Sequence, residues 1–305
     1  MEPLSFGLVG AGPWARHWHA PLLAEGPETR LDFVWARRAD AARELAARHG
    51  AIAVDSYEEL VHRSQAVAFT VPPNIQAELA PIAARAGKAL LLEKPAGFTA
   101  QQARGLADVI NETGVPHMLM LTNRFNALVD NFIAESQAVK PYGAVAVMVA
   151  GAILPGAEFS TPWRWEGEAG VLADNGPHTI DIMEQALGPI TGIAVHGHRM
   201  RWNAVTLSHE SGAVSTINLS LTVDVPEFVF RFETYGAGGR AYLDTYFADG
   251  PRDESAVRIR REFAEAVRSG VPHRLDINRG VYLQEWIDAG HRSLDNGGSV
   301  ETVTG

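Results

Sequence analysis

An amine, a carboxylate and an imidazole occur in two short segments of this sequence, and together these groups could move a proton. In GVLADNGPHTID (170–181), Asp174 and His178 are spaced i, i+4, on one face of a helix if the helix is continuous. Asp181 follows, so a histidine between two carboxylates could act as an acid–base group with an orienting partner. Pro177 removes one helical N–H, which predicts a kink or a helix start there. The alternative is an N-cap aspartate beside a histidine without a catalytic role.

Lys94 supplies the amine, between Glu93 and Pro95 at the end of the apolar run KALLLE (88–93). Pro95 restricts the backbone of Lys94 to an extended conformation, which is one way to aim a flexible side chain. If the run is a parallel strand, Lys94 lies at its carboxyl end, where open α/β sheets bind ligands. The alternative is a Glu–Lys surface pair ahead of a helix.

A glycine motif, G-x-G-x-x-A, begins at Gly10, directly after an apolar run and at the start of a helical pattern. Gly10 permits the tight turn, Gly12 lets a pyrophosphate approach the backbone, and Ala15 lets helix and strand pack closely. Free N–H groups of the first helical turn then face the phosphates. The motif predicts a dinucleotide site with contacts from Gly10, Gly12, Pro13, Trp14 and Ala15.

The residues after the second apolar run indicate which dinucleotide binds. A dinucleotide domain usually carries Asp or Glu there, on the ribose 2′-hydroxyl. This chain has Arg37 and Arg38 instead, and guanidinium groups suit a 2′-phosphate. We therefore predict NADP in preference to NAD, with NAD still possible. The alternative is a solvated arginine pair at the start of a surface helix.

Other polar and aromatic residues are candidates for substrate contact or for a metal. Tryptophan stacks on sugar rings and arginine binds carboxylates or hydroxyls, which favours substrate contacts from Asn123, Arg124, Trp163, Arg164 and Trp165. A packed loop is the alternative. His17 and His19 have no third ligand nearby in the sequence, so we predict no metal site.

Short apolar runs alternate with amphipathic stretches up to about residue 122, which is typical of a doubly wound parallel α/β sheet. Beyond that point, long alternating runs joined by Gly, Asn and Asp indicate a mostly antiparallel sheet, and two helical patterns (256–270 and 278–297) finish the chain. We therefore predict a dinucleotide-binding domain over 1–122 and an α+β domain for substrate binding and oligomerisation over 123–305.

Composition excludes several classes of function. The formal net charge of −10 repels nucleic acid and anionic membranes, so neither is expected as a general partner. The chain has no cysteine, which excludes disulfides and thiol catalysis. Neither a signal peptide nor an apolar run of membrane-spanning length is visible, so we expect a cytoplasmic protein.

The ordered set of motifs resembles the Gfo/Idh/MocA family of NAD(P)-dependent oxidoreductases. The resemblance covers essentially the whole chain and rests on the segments GLVGAGPWA, FTVPPN (69–74), AGKALLLEKP (86–95), NRF (123–125), TPWRW (161–165) and GVLADNGPHTID (170–181). It implies an N-terminal Rossmann domain and a C-terminal domain whose open-faced antiparallel sheet makes homodimers or homotetramers.

The resemblance also implies roles for individual residues. Lys94 would touch the substrate hydroxyl and the nicotinamide ribose, its bond to Pro95 would be cis, and Asp174 and His178 would line the substrate pocket. Pro72, Asn74 and Glu93 would lie on the cofactor. The implied reaction is reversible oxidation of a secondary alcohol of a sugar, polyol or cyclitol, with the hydroxyl proton passing to His178 or to Lys94.

The chain departs from the family pattern in three places. Gln76 stands where relatives usually have histidine, only Gly167 and Gly170 precede Asp174, and the stretch after Asp244 is short. Two other functions stay open: a lyase or glycosidase that uses the cofactor within one cycle, and a non-catalytic NAD(P)-sensing protein. Retention of Lys94, Asp174 and His178 argues against the sensor.

Overall fold

The computed structural model describes residues 2–165, 169–244 and 254–303. Gly167 and the side chain of Trp165, both considered above, lie outside this description. The chain divides into two compact units, Met1–Leu121 with Ala248–Val281 and Thr122–Phe247 with Tyr282–Gly305. This grouping differs from the predicted domains 1–122 and 123–305, because a late segment of the chain belongs to the first unit.

The first unit contains a six-stranded sheet in which every pair of neighbours is parallel. Its strands are β1 (Leu4–Val9), β2 (Thr29–Trp35), β3 (Ile52–Ala53), β4 (Ala66–Phe69), β5 (Ala89–Glu93) and β6 (His117–Met120). The order is β3-β2-β1-β4-β5-β6, so the chain changes direction across the sheet between β1 and β4. All residues of β4 and β5 are buried, as expected for strands covered on both faces. The doubly wound parallel fold is confirmed.

Five helices follow these strands: α1 (Ala20–Ala24), α2 (Ala39–Arg48), α3 (Tyr57–Arg63), α4 (Pro73–Arg85) and α5 (Ala100–Thr113). Local sequence explains their ends. The side chain of Thr99 accepts a hydrogen bond from the Gln102 N–H, and Gly114 ends α5 with a left-handed φ of 64°. Ahead of α1, residues Ala15–His19 are wound as a π-helix.

A late helix, α9 (Glu254–Ser269), packs on the first unit. The Phe263 ring lies 5.3 Å from that of Phe6 on β1, and the buried Arg260 donates to Glu28 at 3.3 Å. Amphipathic periodicity predicts a helix here but does not indicate which sheet the helix covers. The predicted domains therefore placed α9 in the second domain, whereas it belongs to the first unit. The last helix, α10 (Ile277–Asp295), begins in the first unit, and its residues from Tyr282 onward belong to the second.

The second unit contains another six-stranded sheet, in the order β12-β11-β7-β10-β9-β8. Its strands are β7 (Pro141–Val149), β8 (Ile190–His198), β9 (Trp202–His209), β10 (Val214–Ser220), β11 (Val229–Gly236) and β12 (Gly239–Asp244). The predicted mostly antiparallel sheet is confirmed, with one exception: β7 and β10 are parallel neighbours at the centre.

The two faces of this sheet differ. One face packs on α6 (Ala127–Ala138) and α8 (Gly170–Leu187), where the rings of Phe132 and Phe232 are 5.9 Å apart. The alternate residues point the other way and leave an open face with exposed apolar and aromatic side chains, namely Val145, Trp202, Val214, Tyr235 and Tyr242. The predicted open-faced sheet is thus present.

Helix α8 carries the predicted acid–base residues and is almost completely enclosed. It begins at Gly170 and continues through Pro177, so the predicted start near that proline is wrong. Gln185 alone among its residues is not buried. Packing on all sides stabilises a helix that proline would weaken in isolation. In the described part of the chain, no helix is long and apolar enough to cross a membrane.

Candidate active site

The two glycines of the first turn serve different purposes. Gly10 has a φ of 111°, and a Cβ there would approach Thr70 Oγ1 to 2.5 Å, so the fold itself requires glycine. At Gly12 a Cβ would meet nothing within 4 Å. Glycine at this position has no packing function inside the protein, but it leaves the backbone open to a ligand, as a pyrophosphate site requires. Ala15 is fully buried, which allows the close approach of helix and strand.

Other predicted cofactor residues follow neighbouring strands of the first sheet. Arg37 and Arg38 come directly after β2 and are exposed, and neither side chain forms an ion pair or hydrogen bond with another described residue. Pro72 and Asn74 lie at the start of α4, after β4. Because β2, β1, β4 and β5 are parallel neighbours, their carboxyl ends share one edge of the sheet with the glycine turn.

Glu93, at the carboxyl end of β5, receives hydrogen bonds from several protein groups. The indole Nε1 of Trp14 donates to Oε1 at 2.7 Å, and the imidazole Nε2 of His19 forms a hydrogen bond with the same oxygen, also at 2.7 Å. The peptide N–H of Lys94 donates to Oε2 at 3.2 Å. The side-chain amide of Gln76 bonds the backbone N–H and C=O of Glu93, both at 2.8 Å. The carboxylate that was predicted to contact cofactor is therefore engaged within the protein.

Lys94 lies at the edge that the sequence predicts. Its side chain is half-buried, and the Lys94–Pro95 peptide bond is cis, as the resemblance implies. Lys88, at the other end of β5, instead donates to the carbonyl of Ser64 at 2.8 Å. The two lysines that flank β5 therefore have different environments, with Lys94 at the carboxyl end of the strand and Lys88 at its amino end.

In the second unit, α8 presents Asp174 and His178 one turn apart, and both are buried. Arg164 Nε donates to Asp174 Oδ2 at 2.7 Å. The same guanidinium donates to Thr161 Oγ1 at 2.9 Å and lies over the Trp163 ring at 4.3 Å. Because a carboxylate that accepts a guanidinium N–H is favoured in its charged form, Asp174 is suited to orient a neighbour rather than to donate a proton.

Asp181 and Arg124 have a structural relationship that the sequence analysis did not foresee. Asp181 is completely buried, and Arg124 Nη1 donates to its Oδ2 at 2.8 Å. A buried carboxylate needs such a partner, since removal of either charge leaves the other uncompensated. Asn123, next to Arg124 in a 3-10 turn, is also buried. Arg124 thus forms a buried ion pair within the second unit, and its predicted contact with substrate stays a prediction.

The contacts of His19 and Gln76 with Glu93 could not be predicted from the sequence because Glu93 is distant from both along the chain. His19 and Glu93 are 74 residues apart, and Gln76 is 17 residues from Glu93. One sequence feature could have indicated the contact of His19. Helical periodicity predicts that its position is buried, and a buried histidine needs a polar partner. Within the described ranges, no group of three or more His, Asp or Glu side chains could hold a metal ion.

The residues of the first unit fit a nicotinamide dinucleotide. The backbone is open at Gly12, a helix begins beyond it at Ala15, and two exposed guanidiniums follow the next strand. When bound, such a cofactor would supply a hydride acceptor or donor, and the protein groups already described would bind it and orient the reacting alcohol.

Comparison with known proteins gives two matching family models. The model described as "Oxidoreductase family, NAD-binding Rossmann fold" matches residues 4–121, and the model described as "GFO/IDH/MocA C-terminal domain" matches residues 143–242.

Individual relatives are distant. A dTDP-3,4-didehydro-2,6-dideoxy-alpha-D-glucose 3-reductase from Saccharopolyspora spinosa is 25% identical over 273 residues, which cover 86% of this chain and 80% of the relative. D-glucoside 3-dehydrogenase from Escherichia coli is 25% identical over 85% of this chain and 74% of its own length. The solved structure of GenD2 from gentamicin A biosynthesis, in complex with NAD, superposes with a TM-score of 0.87 at 19% identity, covering 100% of this chain and 97% of that one.

Proposed function

Because the chain belongs to the Gfo/Idh/MocA family of NAD(P)-dependent oxidoreductases, we propose that it transfers a hydride between NADP(H) and a secondary alcohol or ketone of a sugar, polyol or cyclitol. Two relatives are named for reactions at position 3 of a glucose-derived ring. Glucosides with a free hydroxyl at that position are therefore the first substrates to test. The observation that carries the proposal is Lys94 at the same sheet edge as the glycine turn.

In the proposed reaction, the protein groups take up and return the proton of the reacting alcohol. A nicotinamide cofactor, which Gly10 and Gly12 of the glycine turn would hold, would supply the acceptor for the hydride of the carbinol carbon. The hydroxyl proton passes to His178 or to Lys94, which act as general bases. Asp174, held by Arg164 at 2.7 Å, orients the histidine and keeps negative charge beside it. In the reverse direction the same groups return the proton to the carbonyl oxygen.

The proposed preference for NADP is based on the two arginines after β2. Both guanidiniums are exposed at the carboxyl edge of the sheet, and no acidic residue follows this strand directly. A 2′-phosphate would form charge-assisted hydrogen bonds with them, whereas a 2′-hydroxyl would offer no charge.

We further propose that the open face of the second sheet forms a homodimer or homotetramer. Its exposed Val145, Val214 and Tyr235 would be buried by a second copy of the chain. Aromatic residues and arginine, which the same face carries, are typical of interfaces.

The decisive test compares the two lysines that flank β5. We expect Lys94→Ala to bind NADPH nearly as well as the wild type, with turnover of an active glucoside or inositol lowered at least ~10²-fold, because a positioned acid–base group contributes that much. Lys88→Ala, at the other end of β5, is the matched control and should keep wild-type turnover. Unchanged turnover in Lys94→Ala would remove the proposed mechanism.

The same assay separates the alternatives. Net formation of reduced nicotinamide with oxidised sugar supports the dehydrogenase. Cleavage of a glycosidic bond without net change in reduced nicotinamide would instead show a lyase or glycosidase that regenerates its cofactor in each cycle. Nucleotide binding without turnover of any member of a broad sugar and cyclitol panel would favour a sensor.

A further inference from the structure

We infer that His19 is a positioning residue for Lys94 and acts through the carboxylate of Glu93. The inference rests on the proposed function of Lys94, since it explains how that side chain is oriented. His19 is fully buried, yet it is a polar residue in the helix that follows the glycine turn. Its Nδ1 has no hydrogen-bond partner among the described residues, so the polar contact of the ring is the bond from Nε2 to Glu93.

The protonation pattern follows from the chemistry of the donors. The indole N–H of Trp14 and the peptide N–H of Lys94 can only donate, and they approach the two oxygens of Glu93. A carboxylate that receives two such donors is an ionised acceptor. His19 Nε2 therefore carries the hydrogen and donates to Oε1. Three protein donors thus converge on one charged group whose side chain is only 10% exposed.

The backbone around Glu93 is fixed separately from its side chain. The side-chain amide of Gln76 bonds both the N–H and the C=O of Glu93 at 2.8 Å, which holds the backbone at the end of β5. The conformation of the Glu93 side chain is not fixed by these two bonds. Trp14 and His19 fix Oε1, and Oε2 then holds the peptide N–H of Lys94. The orientation of the Lys94 backbone therefore depends on Trp14 and His19, the donors at Oε1 of Glu93.

This arrangement also links two functional segments of the first unit. Trp14 belongs to the glycine motif and stacks on Trp18 with ring centroids 5.7 Å apart and an interplanar angle of 11°. His19 lies on the same helix, one residue beyond Trp18. Glu93 thus joins the helix that begins at the dinucleotide turn to the residue that precedes Lys94. Loss of the imidazole donor would leave a buried carboxylate oxygen with one donor fewer and free the arm to rotate.

NMR signals of the lysine amines can report on the environment of Lys94. The chain contains three lysines, Lys88, Lys94 and Lys140, so ¹³C-methylation of lysine amines gives three sets of NMR signals that single substitutions assign. His19→Leu removes the donor. His19→Gln is the matched conservative variant, because its amide nitrogen can occupy the position of Nε2.

We expect His19→Leu to shift or broaden the Lys94 methyl signal of the cofactor-free protein, with Lys88 and Lys140 unchanged. His19→Gln should restore the wild-type Lys94 signal. In turnover assays we expect His19→Leu to lower kcat by roughly 10- to 100-fold with KM and NADPH affinity little changed, because misplacement of a catalytic group by about 1 Å costs that much. His19→Gln should recover most of kcat.

Wild-type Lys94 signals and wild-type kcat in His19→Leu would overturn the inference. If His19→Leu does not fold, Glu93→Gln replaces the carboxylate through which His19 acts, and an unchanged Lys94 signal in that variant would overturn the inference equally. Failure of the proposed function is a separate result: Lys94→Ala would then retain turnover, while the NMR signals would still report whether His19 orders Lys94.

Discussion

Arg164 Nε donates to Asp174 Oδ2 at 2.7 Å, and both side chains are largely buried. The guanidinium is itself fixed by Thr161 Oγ1 and by the Trp163 ring. A charge-assisted hydrogen bond between fixed partners holds a carboxylate in one orientation and in its ionised form. The segment before α8 thus fixes the carboxylate of Asp174, and the predicted contact of Arg164 with substrate stays a prediction.

The first prediction concerns this ion pair. Arg164→Met should lower kcat roughly 10- to 100-fold, because it removes a hydrogen bond between charged groups and leaves a buried carboxylate uncompensated. Arg164→Lys should recover part of the lost kcat, because lysine restores the positive charge but not the planar guanidinium with its several N–H donors. Steady-state kinetics with separate kcat and KM values measures the effect.

A surface ion pair provides the control for Arg164. Arg30 pairs with Asp32 at 2.6 Å on an exposed part of β2, and such pairs contribute little. Arg30→Met should therefore keep wild-type kcat. If Arg164→Met raises KM but leaves kcat unchanged, the arginine binds substrate, as the sequence analysis expected, and does not position Asp174.

The second prediction concerns cofactor selectivity. Replacement of Arg37 and Arg38 by alanine should weaken NADPH binding by roughly 10- to 100-fold per lost charge-assisted contact and leave NADH binding unchanged. Quenching of tryptophan fluorescence by each nucleotide gives both affinities. Arg43→Ala, an exposed arginine on the next turn of α2, is the matched control and should change neither. Equal affinity of the wild type for NADPH and NADH would contradict the reading of these arginines.

The parallel sheet and the glycine turn could be predicted because their signals are local. Each buried strand is one continuous apolar run, and the motif from Gly10 to Ala15 contains its own strand–turn–helix context. Positions at the carboxyl ends of strands then follow from topology alone, which is how Lys94 and the two arginines after β2 were found.

The remaining features depend on which distant residues meet. Glu93 receives its donors from 74 and 79 residues away, and periodicity carries no information on such pairs. The parallel pairing of β7 with β10 and the packing of α9 on the first unit are long-range choices of the same kind. A helix start at Pro177, one of the two predicted outcomes, does not occur because burial of α8 outweighs the local cost of proline.

The third prediction concerns acid stability. Burial, with help from the nearby Arg199, lowers the pKa of His291 from 6.5 to about 4, and burial also lowers the pKa of His209. In this pH range the unfolded chain binds more protons than the folded chain. The contribution of His291 to the free energy of unfolding should therefore be present in full above pH 6.5 and be lost as the pH decreases toward about 4. The loss should be on the order of 1–3 kcal/mol. Urea denaturation at several pH values measures this slope.

Substitution identifies the responsible group. His291→Gln should flatten the dependence of the unfolding free energy on pH between about 6.5 and about 4, because the glutamine side chain does not titrate. His62→Gln, at an exposed position on α3, should leave the slope as it is in the wild type. An unchanged slope in His291→Gln would assign acid sensitivity to other groups.

The fourth prediction concerns assembly through the open face of the second sheet. Val145 lies on the central strand β7 and is 42% exposed, with Thr216 and Glu233 beside it on neighbouring strands. Val145→Arg places an unpaired charge in the proposed interface, which should convert the assembly into monomers of 33.0 kDa. Val271→Arg adds the same charge at an exposed valine in the first unit, outside this sheet, and should keep the assembly intact. Light scattering after gel filtration measures both masses, and a wild-type mass equal to one protomer would refute the proposed oligomer.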